Sequence, residues 1–305
     1  MSQTRLIRLA VTLVVATFML AACGGSGTSS GTSNKGTITV AGFNFPESSI
    51  LANIYGKALA KKGWTVKYKL NLGAREVVEP ALEKGDIDLY PGYAATDTTF
   101  LKGKPTTDVT QTIATLNGLL SAKNLKALSP SPAQDQNAFA MTAAGAAKFG
   151  NPKKLSDLKD QNGKLVLGAG PECPVRDYCK IGLEGKYGLK FKAFKALDTD
   201  GPLTRAALDK GGDNGGIDLG LVFSADGDLK VKHYVILADD LHLQNTDNVT
   251  PIIRTATVNS DAQAVLDDVS SKLITDDLVG LNQKVQIDKS DPDQVAQTWL
   301  SSHGY

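Results

Sequence analysis

The 305 residues include three histidines and three cysteines, so side chains suited to proton transfer near neutrality or to soft-metal ligation are few. His233, His242 and His303 are dispersed, which argues against histidine acid–base catalysis. Cys173 and Cys179 flank Pro174-Val175-Arg176-Asp177-Tyr178, and no histidine sits near enough in sequence to complete a zinc set. A zinc pair remains the alternative to a disulfide there. Carboxylates gather in Asp198-Thr199-Asp200-Gly201, in Asp226-Gly227-Asp228, and at Asp288, Asp291 and Asp293. None of these places ligands at alternate positions before a closing Glu, as a calcium loop requires. They read as solvated turns, where Asp and Gly are at home. Gly27-Thr28-Ser29-Ser30-Gly31 formally matches the turn that carries a nucleophilic serine. That turn needs a strand before it and a helix after it, and low-complexity sequence stands on both sides here, so the match is chance. Phosphate-loop, dinucleotide and H-E-x-x-H patterns are absent. The residues predict a binding protein rather than an enzyme, with no cofactor and no metal.

Arg5 and Arg8 precede an apolar run from Leu9 to Ala22, which ends in Leu20-Ala21-Ala22-Cys23. Basic flank, short apolar stretch and small residues describe a secretory signal peptide over residues 1–22. The run is shorter than the roughly 20 residues that span a bilayer. Leu-Ala-Ala-Cys resembles the lipobox of bacterial lipoproteins, which implies a diacylated Cys23 and a protein held on the outer face of the plasma membrane. An ordinary signal peptide cleaved nearby is the alternative. Residues 23–35 carry the lipid and a Gly/Ser-rich linker, a flexible coil with a reach of roughly 20 Å. With Cys23 lipidated in an oxidising compartment, Cys173 and Cys179 are expected to form a disulfide. By the chain-entropy model so short a loop adds about 2–3 kcal/mol, and its role is to pin the residues between.

The composition is 42% hydrophobic and 21% charged, which suits packed domains, and the net charge of +1 gives no electrostatic case for nucleic acid. From Thr37 the chain alternates strand-like and helix-like stretches. Thr37 to Ala41 reads as a strand, and a helix opens at Pro46 and stops at Gly63. Trp64 to Leu72 is strand-like, Gly73 to Lys84 helical, and Ile87 to Tyr90 a short strand. A second series runs from Ala138 to Leu237, with a helix over Pro202 to Lys210, and Gln263 to Leu300 reads as helices. This order predicts an α/β protein of two lobes with mainly parallel sheets. Its site should lie in loops at the carboxyl ends of strands, including Phe43 to Glu47 and Tyr90 to Thr96.

Several segments carry a family resemblance in the same order along the chain. They are Gly42-Phe43-Asn44-Phe45-Pro46-Glu47-Ser48, Leu70 to Val77, Asp86 to Tyr93, Lys186 to Leu189, and Asp226-Gly227 followed by Val235 to Asp240. Together they resemble the substrate-binding lipoproteins of ABC importers for glycine betaine, choline and related quaternary amines. The resemblance implies a two-lobed periplasmic-binding-protein (Venus-flytrap) fold with two chain crossovers. One lobe is expected over 36–134 and 246–305, and the other over 135–245. It further implies a monomer that captures a compatible solute between the lobes and delivers it to an ABC permease.

In that family a cage of aromatic faces holds the cationic head, and an arginine, a lysine and a threonine hydroxyl hold a carboxylate. By resemblance Tyr93 matches the first cage tyrosine, Thr96 the polar contact and Arg176 the carboxylate-binding arginine. Phe223 stands where a tyrosine is common, and Gln136 offers a backbone carbonyl at the crossover. Ala138 and Thr204 replace two cage aromatics, with Phe139 as an alternative ring. Phe43 stands where many members have the lysine, beside Asn44, and Arg75 is an additional charge. At up to ~2 kcal/mol per ring, the missing walls imply a weakened betaine site or a different ligand. The alternatives are another zwitterionic or aromatic solute, or a non-transport extracellular lipoprotein on the same fold.

Overall fold

A computed structural model describes residues 35–305, apart from 230 and 246. The expected signal peptide, Cys23 and nearly all of the expected linker lie outside the described residues. Lys35 is already part of the folded body. Its ammonium stands 4.4 Å over the Trp64 ring and its amide donates to the Gly63 carbonyl at 3.0 Å.

Strand β1 (Thr37–Ala41) is a run of β-branched residues through Val40 and leads through an extended loop into α1 (Pro46–Lys61). Pro46 suits the first helical turn, where its missing N–H would have had no intrahelical acceptor. The helix buries Ile50, Leu51, Ile54, Ala58 and Leu59, the stripe that its periodicity predicts. β2 (Thr65–Lys69) lies parallel to β1, with Thr37 opposite Thr65. Helix α2 (Arg75–Lys84) ends at Gly85, whose φ of 81° is the left-handed cap that glycine adopts without strain. Then come β3 (Leu89–Tyr93), α3 (Ala94–Phe100), α4 (Val109–Ser121) and β4 (Leu125–Ala127). After a crossover the chain forms β5 (Asn137–Met141), α5 (Ala143–Lys148), β6 (Val166–Ala169) and α6 (Lys180–Lys186). The same lobe continues with β7 (Ala193–Ala196), α7 (Pro202–Lys210), β8 (Leu219–Phe223) and β9 (Val235–Leu237). A second crossover returns the chain to β10 (Val249–Arg254). It closes with α8 (Ser260–Lys272), α9 (Thr275–Gln286) and α10 (Pro292–Ser302).

Two five-stranded sheets result, ordered β2-β1-β3-β10-β4 and β7-β6-β8-β5-β9. Each has one inverted strand, β10 in the first and β5 in the second, paired antiparallel on both sides. In both cases the inverted strand is the one the chain enters straight from a crossover. The sheets are therefore mixed, and the family topology of two crossovers is present. The crossovers run side by side: Asp135 donates its amide to the Asp247 carbonyl and Val249 to Ala133, each at 3.0 Å. Paired connections of this kind form a hinge that bends without unravelling either lobe.

Four elements lie outside the periodic stretches of the sequence: α3, α4, β4 and α5. The Asp-rich turns are also not all solvated. Asp200, Asp226 and Asp228 are buried around the guanidinium of Arg205, which donates to Asp200 at 2.6 Å. Asp198 instead receives the Leu203 and Thr204 amides at the start of α7, and Asp291 receives those of Asp293 and Gln294 at the start of α10. Among the described residues no helix is long and apolar enough to cross a membrane.

Candidate functional site

A cavity of about 430 Å³ opens between the sheets, lined from both lobes. Its walls are the loops that follow parallel strands. Phe43, Asn44 and Phe45 follow β1, and Arg75 follows β2. Tyr93 and Thr96 end β3, the segment from Gly170 to Cys179 follows β6, and Phe223 ends β8. The crossovers supply Asp135, Gln136 and Asp247. Carboxyl-end loops converge because the strands run parallel and their connections lie at one edge.

The aromatic wall centres on Phe45. Its ring stacks on Phe43 with centroids 5.6 Å apart, lies 6.3 Å from Tyr93, and meets Phe223 edge-on at 5.0 Å. The Phe45–Phe223 contact joins the lobes. Phe45 lies in the expected loop Phe43 to Glu47 but is not among the side chains that the resemblance assigns to the cage, yet the sequence carries its signal. In an extended stretch residues i and i+2 share a face, and Phe45 has extended dihedrals of −139° and 156°. Phe43 is covered by Phe45, by the Arg75 guanidinium 4.7 Å above its ring and by the edge of Tyr90, so it backs Phe45.

Of the remaining expected positions, Asn44, Arg75, Tyr93, Thr96, Gln136, Arg176 and Phe223 also line the cavity. Thr204 does not. It is fully buried in the first turn of α7, with its hydroxyl donating to the Asp198 carbonyl at 2.7 Å. Phe139 is held in the core of the second lobe. The Gln136 carbonyl already accepts the Ser224 amide at 2.9 Å.

Both guanidiniums of the cavity are engaged. Arg75 donates from Nε to Asp97 Oδ1, and Asp97 also takes the Tyr93 amide at 2.8 Å. Burial works against the Arg75 charge, but Asp97 outweighs it and holds the guanidinium above its usual pKa. Arg176 forks onto Glu76 of the opposite lobe, Nε to Oε1 at 2.9 Å and Nη2 to Oε2 at 2.8 Å. Cys173 and Cys179 are joined by a disulfide. It brackets Arg176 and also Tyr178, whose hydroxyl accepts from Thr99 Oγ1 at 2.8 Å and from Asn245 Nδ2 at 2.7 Å. Tyr178 is a second contributor absent from the expected set.

Buried carboxyls surround the rings. Asp247 receives the Ala95 amide at 2.7 Å and the Thr96 hydroxyl at the start of α3, and burial still pushes it up to about 7. Glu47 accepts the Tyr93 hydroxyl at 2.5 Å and Asn282 Nδ2 at 2.6 Å, and burial raises its pKa. Among the described residues no group of three or more His, Cys, Asp or Glu is placed to hold a metal ion.

An aromatic wall joining two lobes over a carboxyl-rich floor suits a small organic cation. The family described as the substrate binding domain of ABC-type glycine betaine transport systems matches residues 36–302. The chain belongs to this family. It is 25% identical over 272 residues to the glycine betaine-binding protein YehZ of Escherichia coli strain K12, spanning 85% of this chain and 88% of that protein. It is also 25% identical over 281 residues to a glycine-betaine-binding protein of Pseudomonas aeruginosa, with 88% of each chain covered. The fold is similar to the crystal structure of a glycine betaine/carnitine/choline ABC transporter. The TM-score is 0.65 at 20% identity, over 87% of this chain and 98% of that one. The protein is thus a non-catalytic solute-binding protein, which hands a small polar solute of the quaternary-amine type to an ABC permease.

Proposed function

We propose that the cleft captures a quaternary ammonium compound outside the cytoplasm, with its cationic head against Phe45, Tyr93 and Phe223. The observation that carries this reading is the Phe45–Phe223 contact, because a cation seated there touches both lobes at once. A ligand that bridges two lobes binds the closed state better and shifts the hinge toward it. Each ring face that a desolvated cation meets is worth roughly 0.5–2 kcal/mol.

Within the class, the charges favour a carboxylate-free, choline-like cation over glycine betaine. Five carboxyls line the cavity against three cationic side chains, and Arg75 and Arg176 already have carboxylate partners. At either arginine a betaine carboxylate would have to displace Glu76 or Asp97, and the third cation, Lys102, is exposed to solvent.

The reading includes anchoring through a lipid on Cys23 after removal of residues 1–22, with the expected linker before Lys35 as tether. It also takes 36–134 with 246–305 as one lobe and 135–245 as the other. Closure of these lobes then presents a joint surface to the permease.

The test is a thermal-shift titration of the purified protein with choline, glycine betaine, carnitine, proline betaine, ergothioneine and amino acids. A ligand at 100 times its Kd stabilises by about 2.7 kcal/mol, a shift of roughly 4 °C for a chain of this size. Choline is expected to give at least that shift at the lowest concentration. A panel in which no quaternary amine moves the midpoint overturns the proposal.

A further inference from the structure

Glu47 sits in the first turn of α1, within the first lobe, and is 3% exposed. Asp135 sits on the first crossover and is also 3% exposed. One small frame holds both. Asn282 of α9 donates through Nδ2 to Glu47 Oε2 at 2.6 Å and to the Ala225 carbonyl at 3.1 Å. The Ala225 amide and the Ser224 hydroxyl in turn donate to Asp135 Oδ1, each at 2.8 Å. Held in this frame, the two carboxyls act on one another. The frame therefore ties the first lobe, the hinge and the end of β8 together through two acids.

No lysine or arginine among the described residues pairs with either acid. The charged or titratable groups that face them are Tyr93 from β3 and Asp200 from the loop before α7. Asp247 of the second crossover acts on Tyr93. The neighbouring cation, Arg205 of α7, is shared by Asp200, Asp226 and Asp228. Two carboxyls buried side by side without a cation cannot both ionise, so such a pair keeps a proton. Burial raises both pKa values, and the Glu47 charge raises Asp135 further, while hydrogen bonding from Asp135 offsets part of the rise at Glu47.

The pair also touches the ligand site. Asp135 lines the cavity, and Glu47 accepts the hydroxyl of Tyr93, whose ring lines it. A cation seated on that ring supplies the charge that the pair lacks. We infer that Glu47 and Asp135 are the counter-charge of the bound cation and give up their shared proton to solvent when it docks. The exchange balances: a cation enters, a proton leaves, and the net charge of the site is kept. This inference rests on the quaternary-ammonium reading above.

Choline suits the test because its charge is permanent, so any pH dependence of its binding belongs to the protein. Titration calorimetry of the full chain at one pH, in buffers of different ionisation enthalpy, counts the protons released. A series from pH 5 to 8 gives the dependence of Kd. Linkage predicts release of up to one proton and a Kd that tightens with rising pH by up to about tenfold per unit. Asp135→Asn should abolish the release and flatten the profile. Choline binding with no proton released and a flat Kd overturns the inference while leaving the ligand class standing. Release that disappears in Asp247→Asn and persists in Asp135→Asn overturns the assignment to this pair. If no quaternary ammonium binds at any pH, the ligand class falls and this inference falls with it. The wild-type buffer series needs no variant, so a misfolded Asp135→Asn would not spare the inference.

Discussion

Arg176, between the bridged cysteines of the second lobe, grips Glu76 at the start of α2 through two parallel hydrogen bonds of 2.9 and 2.8 Å. Fork-to-fork geometry is the strong form of an ion pair, and this one spans the mouth of the cleft. Burial pushes the Glu76 carboxyl up, but the Arg176 guanidinium outweighs it and holds the pKa below its ordinary value. A lowered carboxyl pKa stabilises above the unfolded value and is lost as pH falls through the folded one. The latch should therefore weaken in mild acid below about pH 4.5.

Because Glu76 is 43% and Arg176 20% exposed, the pair is worth no more than about 1 kcal/mol. Glu76→Ala and Arg176→Ala should each weaken choline binding about fivefold at low salt. The double variant should be no worse than either single one. In 1 M salt, where the screening length is about 3 Å, the differences should shrink. Calorimetry at two salt concentrations checks this. A loss confined to carboxylate-bearing ligands in Arg176→Ala alone would instead make Arg176 a ligand contact.

Phe45 and Phe43 should separate binding from stability. Phe45→Ala removes the ring that both lobes share and should cost choline affinity about tenfold or more, at up to ~2 kcal/mol per ring. Phe43 is backed by Tyr90 and Arg75 and is 2% exposed. Its truncation should cost about 3–5 kcal/mol of folding free energy, read as a lower urea midpoint. Equal effects of the two variants on binding and unfolding would remove the distinction.

Reducing the Cys173–Cys179 bridge frees the turn that presents Arg176 and Tyr178. For so short a loop the chain-entropy model assigns about 2 kcal/mol, near 4 °C in this chain. Dithiothreitol should lower the melting midpoint by about that amount and weaken ligand binding in parallel. Unchanged binding after full reduction would mean that the turn holds its shape without the bridge.

Asp247 and Asp200 contribute, with Glu47 and Asp135, to the pH dependence of the folded state. Burial pushes each up to about 7, well above the value of 3.8 in an unfolded chain. A raised carboxyl pKa stabilises fully below the unfolded value, and that stability is lost as pH climbs through the folded one. Urea unfolding without ligand should therefore show the protein losing stability from about pH 4 to about pH 7 and levelling off above that. Asp247→Asn should make that slope shallower by about 1 kcal/mol per pH unit. A slope that the substitution leaves unchanged would assign the effect elsewhere.

Much of the fold was legible because its helices start and stop on strong signals. Pro46 and Pro202 open α1 and α7, and Gly85 caps α2. α4 was not legible: it buries only Thr112, Leu116 and Leu120 in a threonine-rich stretch, and its clearest signal is the Asp108 cap. β3 extends through Tyr93 because antiparallel β10 pairs with it, a partner far along the chain. At the site, the resemblance led to Tyr93 and Phe223 but not to the ring between them. Phe45 is recognisable only once the Phe43–Phe45 segment is known to be extended. Thr204 belongs to the helix cap because Asp198 claims its amide and its hydroxyl. Glu47 closes the loop expected to line the site, but its burial beside Tyr93 depends on Asn282, which arrives from α9 far along the chain.

The central claim is that the cleft recognises a positive charge on a compact apolar head. The most direct measurement compares choline with 3,3-dimethyl-1-butanol, its neutral carbon isostere, by titration calorimetry at pH 7.5. With two or three ring faces contributing roughly 0.5–2 kcal/mol each, choline should bind at least about fivefold more tightly. Equal affinities for the two would contradict the account, because the cleft would then be reading shape and apolar surface rather than charge.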